Sequence, residues 1–229
     1  MNPILEHLKN KNLLWQGQQR ILQSDANSTG FSDLDEQLQG GFPDQGVVDI
    51  HSPFGIGELR LLCPTLVLRQ QRYDESLLIF IAPPLTINSE MLGEFGLNLE
   101  HTVVIQTSSV HEVLWSTEQC LKSGCCHTVL VWQQDLEIAQ VKRLQLAAEK
   151  GQCVLFMLRQ SKADSLPLPV TLALKLTPHT RGLNSQITKR KGGWPSGPFI
   201  IPMQQYWPEL SIADSAQILH FEHPHSHVG

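Results

Sequence analysis

"SPFGIGELRLL", residues 52–62, decides how the rest of the chain is read. An aliphatic run, Val47 to Ile50, leads into a glycine-containing turn, and the turn leads into a segment with helical spacing. Strand, glycine turn and helix in that order frame a phosphate-binding loop. In a working loop, backbone N–H groups close on phosphate oxygens, a lysine meets the β- and γ-phosphates, and a Ser/Thr hydroxyl meets Mg²⁺. The corresponding positions here are Ser52, Gly55, Gly57, Glu58 and Leu59, so the turn is kept while the lysine and the hydroxyl are replaced by Glu58 and Leu59. A carboxylate about 5 Å from a phosphate charge costs on the order of 3 kcal/mol per unit charge at an effective dielectric near 20. Loss of the lysine's attraction adds a comparable amount, which together lowers triphosphate affinity by several powers of ten. In the first helical turn the same carboxylate interacts favourably with the helix dipole. The loop is therefore expected to be a degenerate P-loop in a protein with no catalytic residues, no ATPase activity and no cofactor.

Downstream, short apolar runs alternate with stretches of helical spacing. "VVDI" (47–50), "LLIFIA" (77–82), "TVVIQ" (102–106), "TVLVW" (128–132) and "CVLFML" (153–158) read as strands covered on both faces. Between them, Asn88 is placed to cap a short helix that stops at Gly96, and Ser109 with Glu112 has capping-box spacing before a helix ending near Gly124. A third helix is predicted from Leu136 to Lys150, with Ile138, Val141, Leu144 and Ala148 on one face. Pro64 falls inside the helix after the loop and would remove a backbone bond and kink it. Strand and helix in alternation predict an α/β fold with a mainly parallel central sheet flanked by helices. After Ser161 the strands "TLALKL" (171–176), "SQITKRK" (185–191) and "FIIPM" (199–203) predict a strand-rich C-terminal extension of that sheet.

Composition bounds the function. With 229 residues, 41% of them hydrophobic, the chain can bury one substantial core, and a formal charge of −5 excludes coating nucleic acid by bulk electrostatics. "MNPILEHLKNKNLLW" interrupts its apolar residues with charges, and no apolar run reaches membrane-spanning length, so a cytoplasmic protein is expected. The five cysteines, Cys63, Cys120, Cys125, Cys126 and Cys153, are odd in number and lie mostly in apolar runs, which suits reduced, buried thiols; without a CxxC pair no metal site is expected.

Upstream of the loop, "STGFSDLDEQLQGGFPDQGVVDI" (28–50) resembles the lead-in to the RecA core, with Ser-Thr-Gly, Leu-Asp and Gly-Gly-x-Pro-x-Gly before the first strand. "GIGELRLLCPTL", "IAPP" (81–84), "RLQLAAE" (143–149) and "KRKGG" (189–193) resemble the ImuA family, from Trp15 to about Pro202. The central stretches "IFIAPPLTINSEMLGEFGLNLEHTVVIQ" and "GCCHTVLVW" are also similar to SulA. The ImuA resemblance implies a RecA-like accessory of SOS-induced, error-prone translesion DNA synthesis, acting through ImuB, RecA or an error-prone DnaE-type polymerase. The SulA resemblance implies the alternative, an SOS cell-division inhibitor that binds FtsZ and blocks its polymerisation. The full lead-in and the "KRKGG" strand favour the first.

Carried over from RecA, the acidic residue expected after the second strand falls at or near Pro83, and the Walker B aspartate falls at Gln133, with Asp135 two residues too late. Lys189 and Lys191 match lysines that in RecA reach across a subunit interface, which implies possible homo-oligomers. Lys189, Arg190, Lys191 and Trp194 are therefore candidates for partner or DNA binding, any DNA contact being local or indirect; a solvated basic strand edge is the plainer reading of the three cations. His51 is expected to be a hydrogen-bonded core residue near the first strand's end. The domain plan is a lead-in helix over 1–27, a RecA-like core over 28–205 and a flexible tail over 206–229 containing His220, His223, His225 and His227.

Overall fold

Eight strands form one sheet in the order β3-β2-β4-β5-β1-β6-β7-β8. The structure is a computed structural model that describes residues 28–107, 109–160 and 168–208. The strands are β1 (Gly46–His51), β2 (Leu77–Ile81), β3 (Thr102–Ile105), β4 (Cys126–Trp132), β5 (Val154–Arg159), β6 (Leu172–His179), β7 (Gly182–Arg190) and β8 (Phe199–Pro202). The helices are α1 (Ser32–Leu38), α2 (Glu58–Arg72), α3 (Ser89–Glu94), α4 (Val110–Lys122) and α5 (Ile138–Lys150). The first six strands across the sheet pair in parallel, and β7 and β8 add to β6 antiparallel, so the expected mixed α/β sheet with an added strand-rich end is what forms.

Period-two alternation divides the core into two layers. Val48, Ile50, Phe80, Leu130 and Phe156 face the side covered by α1, α2 and α3. Val47, Ile79, Val129, Leu155 and Met157 face the side covered by α4 and α5. The expectation of strands covered on both faces fails at β3. This edge strand pairs only with β2 among the described residues, and the exposure of the consecutive Val103 and Val104, which point to opposite faces, shows that neither face is fully covered there.

Helix ends follow the local chemistry. Asn88 Oδ1 accepts from the Met91 N–H at 2.9 Å, and Ser109 Oγ accepts from the Glu112 N–H at 3.2 Å. Glu112 does not complete a capping box, since its carboxylate instead accepts from Thr107 Oγ1. α5 begins at Ile138 rather than Leu136, and Ile138 is exposed, not on the buried face with Val141, Leu144 and Ala148. α2 runs as one element through Pro64, whose ring is used in packing: a Cβ added at Gly30, which has φ +82°, would lie 2.5 Å from Pro64 Cβ. The 28–31 segment thus sits directly on α2.

Arg69 pins α2 to the sheet. Its guanidinium donates to Thr128 Oγ1 at 2.9 Å and to the carbonyls of His127 at 2.8 Å and Asp44 at 3.0 Å. At the far end of the described chain, Tyr206 donates to the Gly30 carbonyl at 3.1 Å and Trp207 stacks on Phe95 at 5.1 Å. Packing therefore continues at least to Trp207, past the expected core boundary at 205, because the aromatic rings find a greasy recess beside α3. Trp15 and the expected lead-in helix, like the four tail histidines, lie outside the described residues. No described helix is long and apolar enough to cross a membrane.

Candidate functional site

The loop after β1 closes on itself. Gly55 and Gly57 have φ of +78° and +108°, values that L side chains rarely adopt, while added Cβ atoms there would meet nothing closer than 3.8 Å. These glycines serve the backbone dihedrals rather than tight space. The turn they make carries Glu58 to the first position of α2 with its carboxylate folded back over the loop, where Oε1 accepts from the Gly55 N–H at 3.1 Å. Glu58 is buried, and its Oε2 has no hydrogen-bond partner among the described residues; the same is true of Ser52 Oγ. A donor that a P-loop would offer to phosphate is thus occupied by the chain's own acid. Leu59 packs half-buried against the core beneath.

Ser52 anchors the start of the loop by donating its N–H to the Arg159 carbonyl at 3.0 Å. Behind it lies a buried ionic group that residue spacing alone does not reveal. Arg159 is in register with His51, and its Nε and Nη2 each donate to one Asp49 carboxylate oxygen at 2.7 Å, a bidentate fork. His51 Nε2 lies 2.8 Å from Asp49 Oδ2 and 3.0 Å from Arg159 Nη2. Burial pushes the Asp49 carboxyl up, but hydrogen bonds from His51 and Arg159 and their charge outweigh it and hold the group below its usual range. His51 is therefore the hydrogen-bonded residue expected, with two partners the sequence did not supply.

Pro83 is buried, Gln133 half-buried and Asp135 exposed, and no group of three or more His, Cys, Asp or Glu among the described residues is placed to hold a metal.

The carboxyl edge of the sheet instead carries apolar side chains in the open. Phe54 follows β1, Leu85 follows β2, Val110 follows β3 and Ile138 follows β4, with exposures of 37%, 76%, 50% and 43%. In the sheet order these strands supply one exposed apolar residue each along the edge where open α/β sheets bind their ligands. Each sits singly in a loop or at a helix start, so no periodic pattern announces it.

The basic segment lies at the other end. Arg190 is in register with Leu172, and Leu172 with Val48, which puts 189–191 near the amino end of β1 and away from the 52–59 loop. Its cations are engaged within the chain. Lys189 Nζ donates to the Leu168 carbonyl at 2.6 Å, Arg190 reaches Gln37 O and Gln39 Oε1 at 3.4 Å, and Lys191 pairs with Glu149 at 3.1 Å. Trp194, in the turn after β7, is 88% exposed.

By sequence, the chain is similar over part of its length to RecA and SulA proteins. The chain is 28% identical over 136 residues to the RecA protein of Clostridium acetobutylicum, covering 59% of this chain and 38% of that protein. More particularly, residues 55–155 match the family model described as cell division inhibitor SulA. The cell division inhibitor SulA of Pseudomonas aeruginosa is 35% identical over 94 residues, which are 41% of this chain and 58% of that protein; SulA of Photorhabdus laumondii is 30% identical over 100 residues, 44% and 55% respectively. The chain thus spans little more than half the length of the SulA relatives it matches. The crystal structure of the Pseudomonas protein superposes with a TM-score of 0.43 at 32% identity, covering 50% of this chain and 98% of that one.

Proposed function

We propose that this chain is a non-catalytic docking protein of the SulA type, which restrains cell division by binding FtsZ through the carboxyl edge of its sheet. The SulA match over 55–155 supports the reading, and it includes Leu85, Val110 and Ile138 of the exposed apolar row. The observation that carries it is the Glu58 carboxylate bonded to the Gly55 N–H, which removes a phosphate donor where a RecA-like nucleotide site would open. With polar ligand chemistry withdrawn, the edge presents Phe54, Leu85, Val110 and Ile138, a composition suited to a protein surface. The frame is a RecA-like core with a degenerate P-loop, and the protein works in the cytoplasm during the SOS response.

Docking at this edge is tested by replacing Leu85 with Asp and Phe54 with Glu together. Purified FtsZ polymerisation, followed by light scattering, is expected to be inhibited by the wild type and to require at least about 30-fold more of the double variant, the loss of one hot spot's 2 kcal/mol. Both side chains are exposed, so the urea midpoint stays where it was. Undiminished inhibition by the double variant moves the docking face elsewhere.

A second reading is favoured by a different observation. The sheet extends beyond the SulA-matched span, with α1 and β1 before it and β6, β7 and β8 after it. That extension suits an ImuA-type accessory of translesion synthesis, docking on ImuB, RecA or a DnaE-type polymerase. Capture of ImuB or the polymerase with FtsZ left unbound replaces the first reading by this one. Both readings expect no saturable binding of Mg-ATP in calorimetry; tight, magnesium-dependent retention overturns the closed-loop account common to them.

A further inference from the structure

The strand-rich end of the chain is one-sided in charge. Between Asp164 and Glu209 the sequence has no carboxylate, yet it carries Lys175, Arg181, Lys189, Arg190 and Lys191 in a chain whose formal charge is −5. The last three are engaged near the amino end of β1. Lys175 and Arg181 are exposed, and neither side chain has a hydrogen bond or ion pair to another described residue. Both stand at the carboxyl edge of the sheet. Lys175 lies opposite His51, the last residue of β1, and β6 runs on from there to His179, about 13 Å further. The turn beyond is fixed by the Arg181 N–H, which donates to His179 Nδ1 at 3.2 Å. Met203 ties this turn to the 52–59 loop: its N–H donates to the Arg181 carbonyl at 3.0 Å, and a Cβ added at Gly57 would lie 3.8 Å from its Cε. Arg60 follows Gly57 in the first turn of α2. It is half-buried, its Nε is buried without a partner, and its guanidinium has no hydrogen bond or ion pair to another described residue. The carboxylates nearest to it in the fold's edge, Asp49 and Glu58, are buried and bonded within the chain.

We propose that Arg60, Lys175 and Arg181 form a basic rim that takes an acidic segment of a protein partner, with the segment's carboxylates on the cations and its apolar residues on Phe54. The place of this rim on a docking edge rests on the function proposed above, to which it adds the charge of what docks. Lys175 alternates with Leu174 and Leu176, which face the α1–α3 layer, so it projects on the opposite face from α2. Arg60 and Lys175 thus bracket the edge, and a segment laid across it meets both. An arginine already partly dehydrated loses less water on meeting a carboxylate than a fully exposed cation does. Three separated cations beside an exposed phenylalanine, in a chain of net negative charge, suit an acidic peptide better than the repeated phosphates of a nucleic acid.

The test uses the full chain and a fluorescent peptide of alternating Asp and Leu, compared by anisotropy with its twin carrying Asn for Asp. The Asp peptide is expected to bind at least about tenfold more tightly than the twin, and added KCl to weaken only the Asp peptide. Arg60→Gln with Lys175→Gln and Arg181→Gln is expected to cost at least about tenfold in affinity for the Asp peptide. Lys175→Gln with Arg181→Gln alone, at two exposed positions, gives part of that loss with an unchanged urea midpoint. Lys122→Gln, Lys150→Gln and Lys191→Gln together, an equal change of charge at the amino edge, leaves the affinity as it was. Equal losses in the two triple variants, equal affinity for the two peptides, or an oligothymidylate that binds the rim at least as tightly as the Asp peptide overturns the proposal. FtsZ separates the rim from the docking function itself. Inhibition that survives Leu85→Asp with Phe54→Glu, while peptide binding still depends on the rim, sinks the docking function alone; inhibition lost in that variant, with peptide binding indifferent to the rim, sinks the rim alone.

Discussion

Replacing Arg159 with methionine is expected to lower the unfolding free energy by about 3–5 kcal/mol, the usual cost of leaving a buried charge without its partner. The Arg159 and Asp49 side chains are 8% and 2% exposed, so neither recovers hydration once the other is gone. Asp49 would keep only the His51 ring at 2.8 Å. The Ser52 N–H to Arg159 carbonyl bond is a backbone contact that the substitution spares, so the loss reports the side-chain fork. Urea denaturation followed by tryptophan fluorescence gives the measurement. The double variant with Asp49→Asn is expected to lose less than the sum of the two single changes, since the second substitution removes the stranded charge. A loss under about 1 kcal/mol for Arg159→Met would mean that His51 alone neutralises the carboxylate, against the double hydrogen bond that the geometry displays.

Acid is expected to weaken the fold well before the carboxylates titrate. His127 is buried in β4, its ring stacked 6.1 Å from Tyr73 and its Nδ1 2.8 Å from Thr128 Oγ1. Burial, and after it the Arg69 charge, pushes it down to about 3 from the ordinary value of 6.5. Below pH 6.5 the unfolded chain takes up a proton at this position and the folded chain does not, so stability falls as pH falls, by about 1.4 kcal/mol per unit at full slope. The loss levels off only as the folded ring itself protonates near 3, a total of roughly 5 kcal/mol. Asp49 has a depressed value, so its contribution is present above the unfolded carboxylate range and is lost only below it. The interval from 6.5 to 4.5 therefore isolates the histidine. His127→Phe is expected to flatten the pH dependence there by about 1 kcal/mol per unit in parallel urea titrations; an unchanged slope would show that the ring titrates normally in the fold.

The arrangement of strands was legible in the sequence because an interior parallel strand needs a continuous apolar run, and β1, β2, β4 and β5 each have one. The same signal misled at β3, since "TVVI" reads alike whether its second face is covered or open. Glu58 was legible as a charge in the wrong place for phosphate. Its hydrogen bond to Gly55 was not, because it depends on two left-handed backbone positions acting together. Arg159 was missed as a partner of Asp49 because 110 residues separate them and only the β1–β5 register brings them opposite. Lys189 and Lys191 were read as free charge for the converse reason, their acceptors at Leu168 and Glu149 being supplied by distant segments.

The place of β1 in the sheet has a kinetic consequence. It is the strand that joins the β3-β2-β4-β5 half to the β6-β7-β8 half, yet the ribosome makes it before either of its neighbours. Val48 waits for Phe156 on one side and for Leu172 on the other, so more than half of the polypeptide must emerge before the centre of the sheet can close. Such distant pairing puts the molecule among slow folders and leaves an aliphatic ribbon unaccompanied during synthesis, which makes the nascent chain a natural client for chaperones.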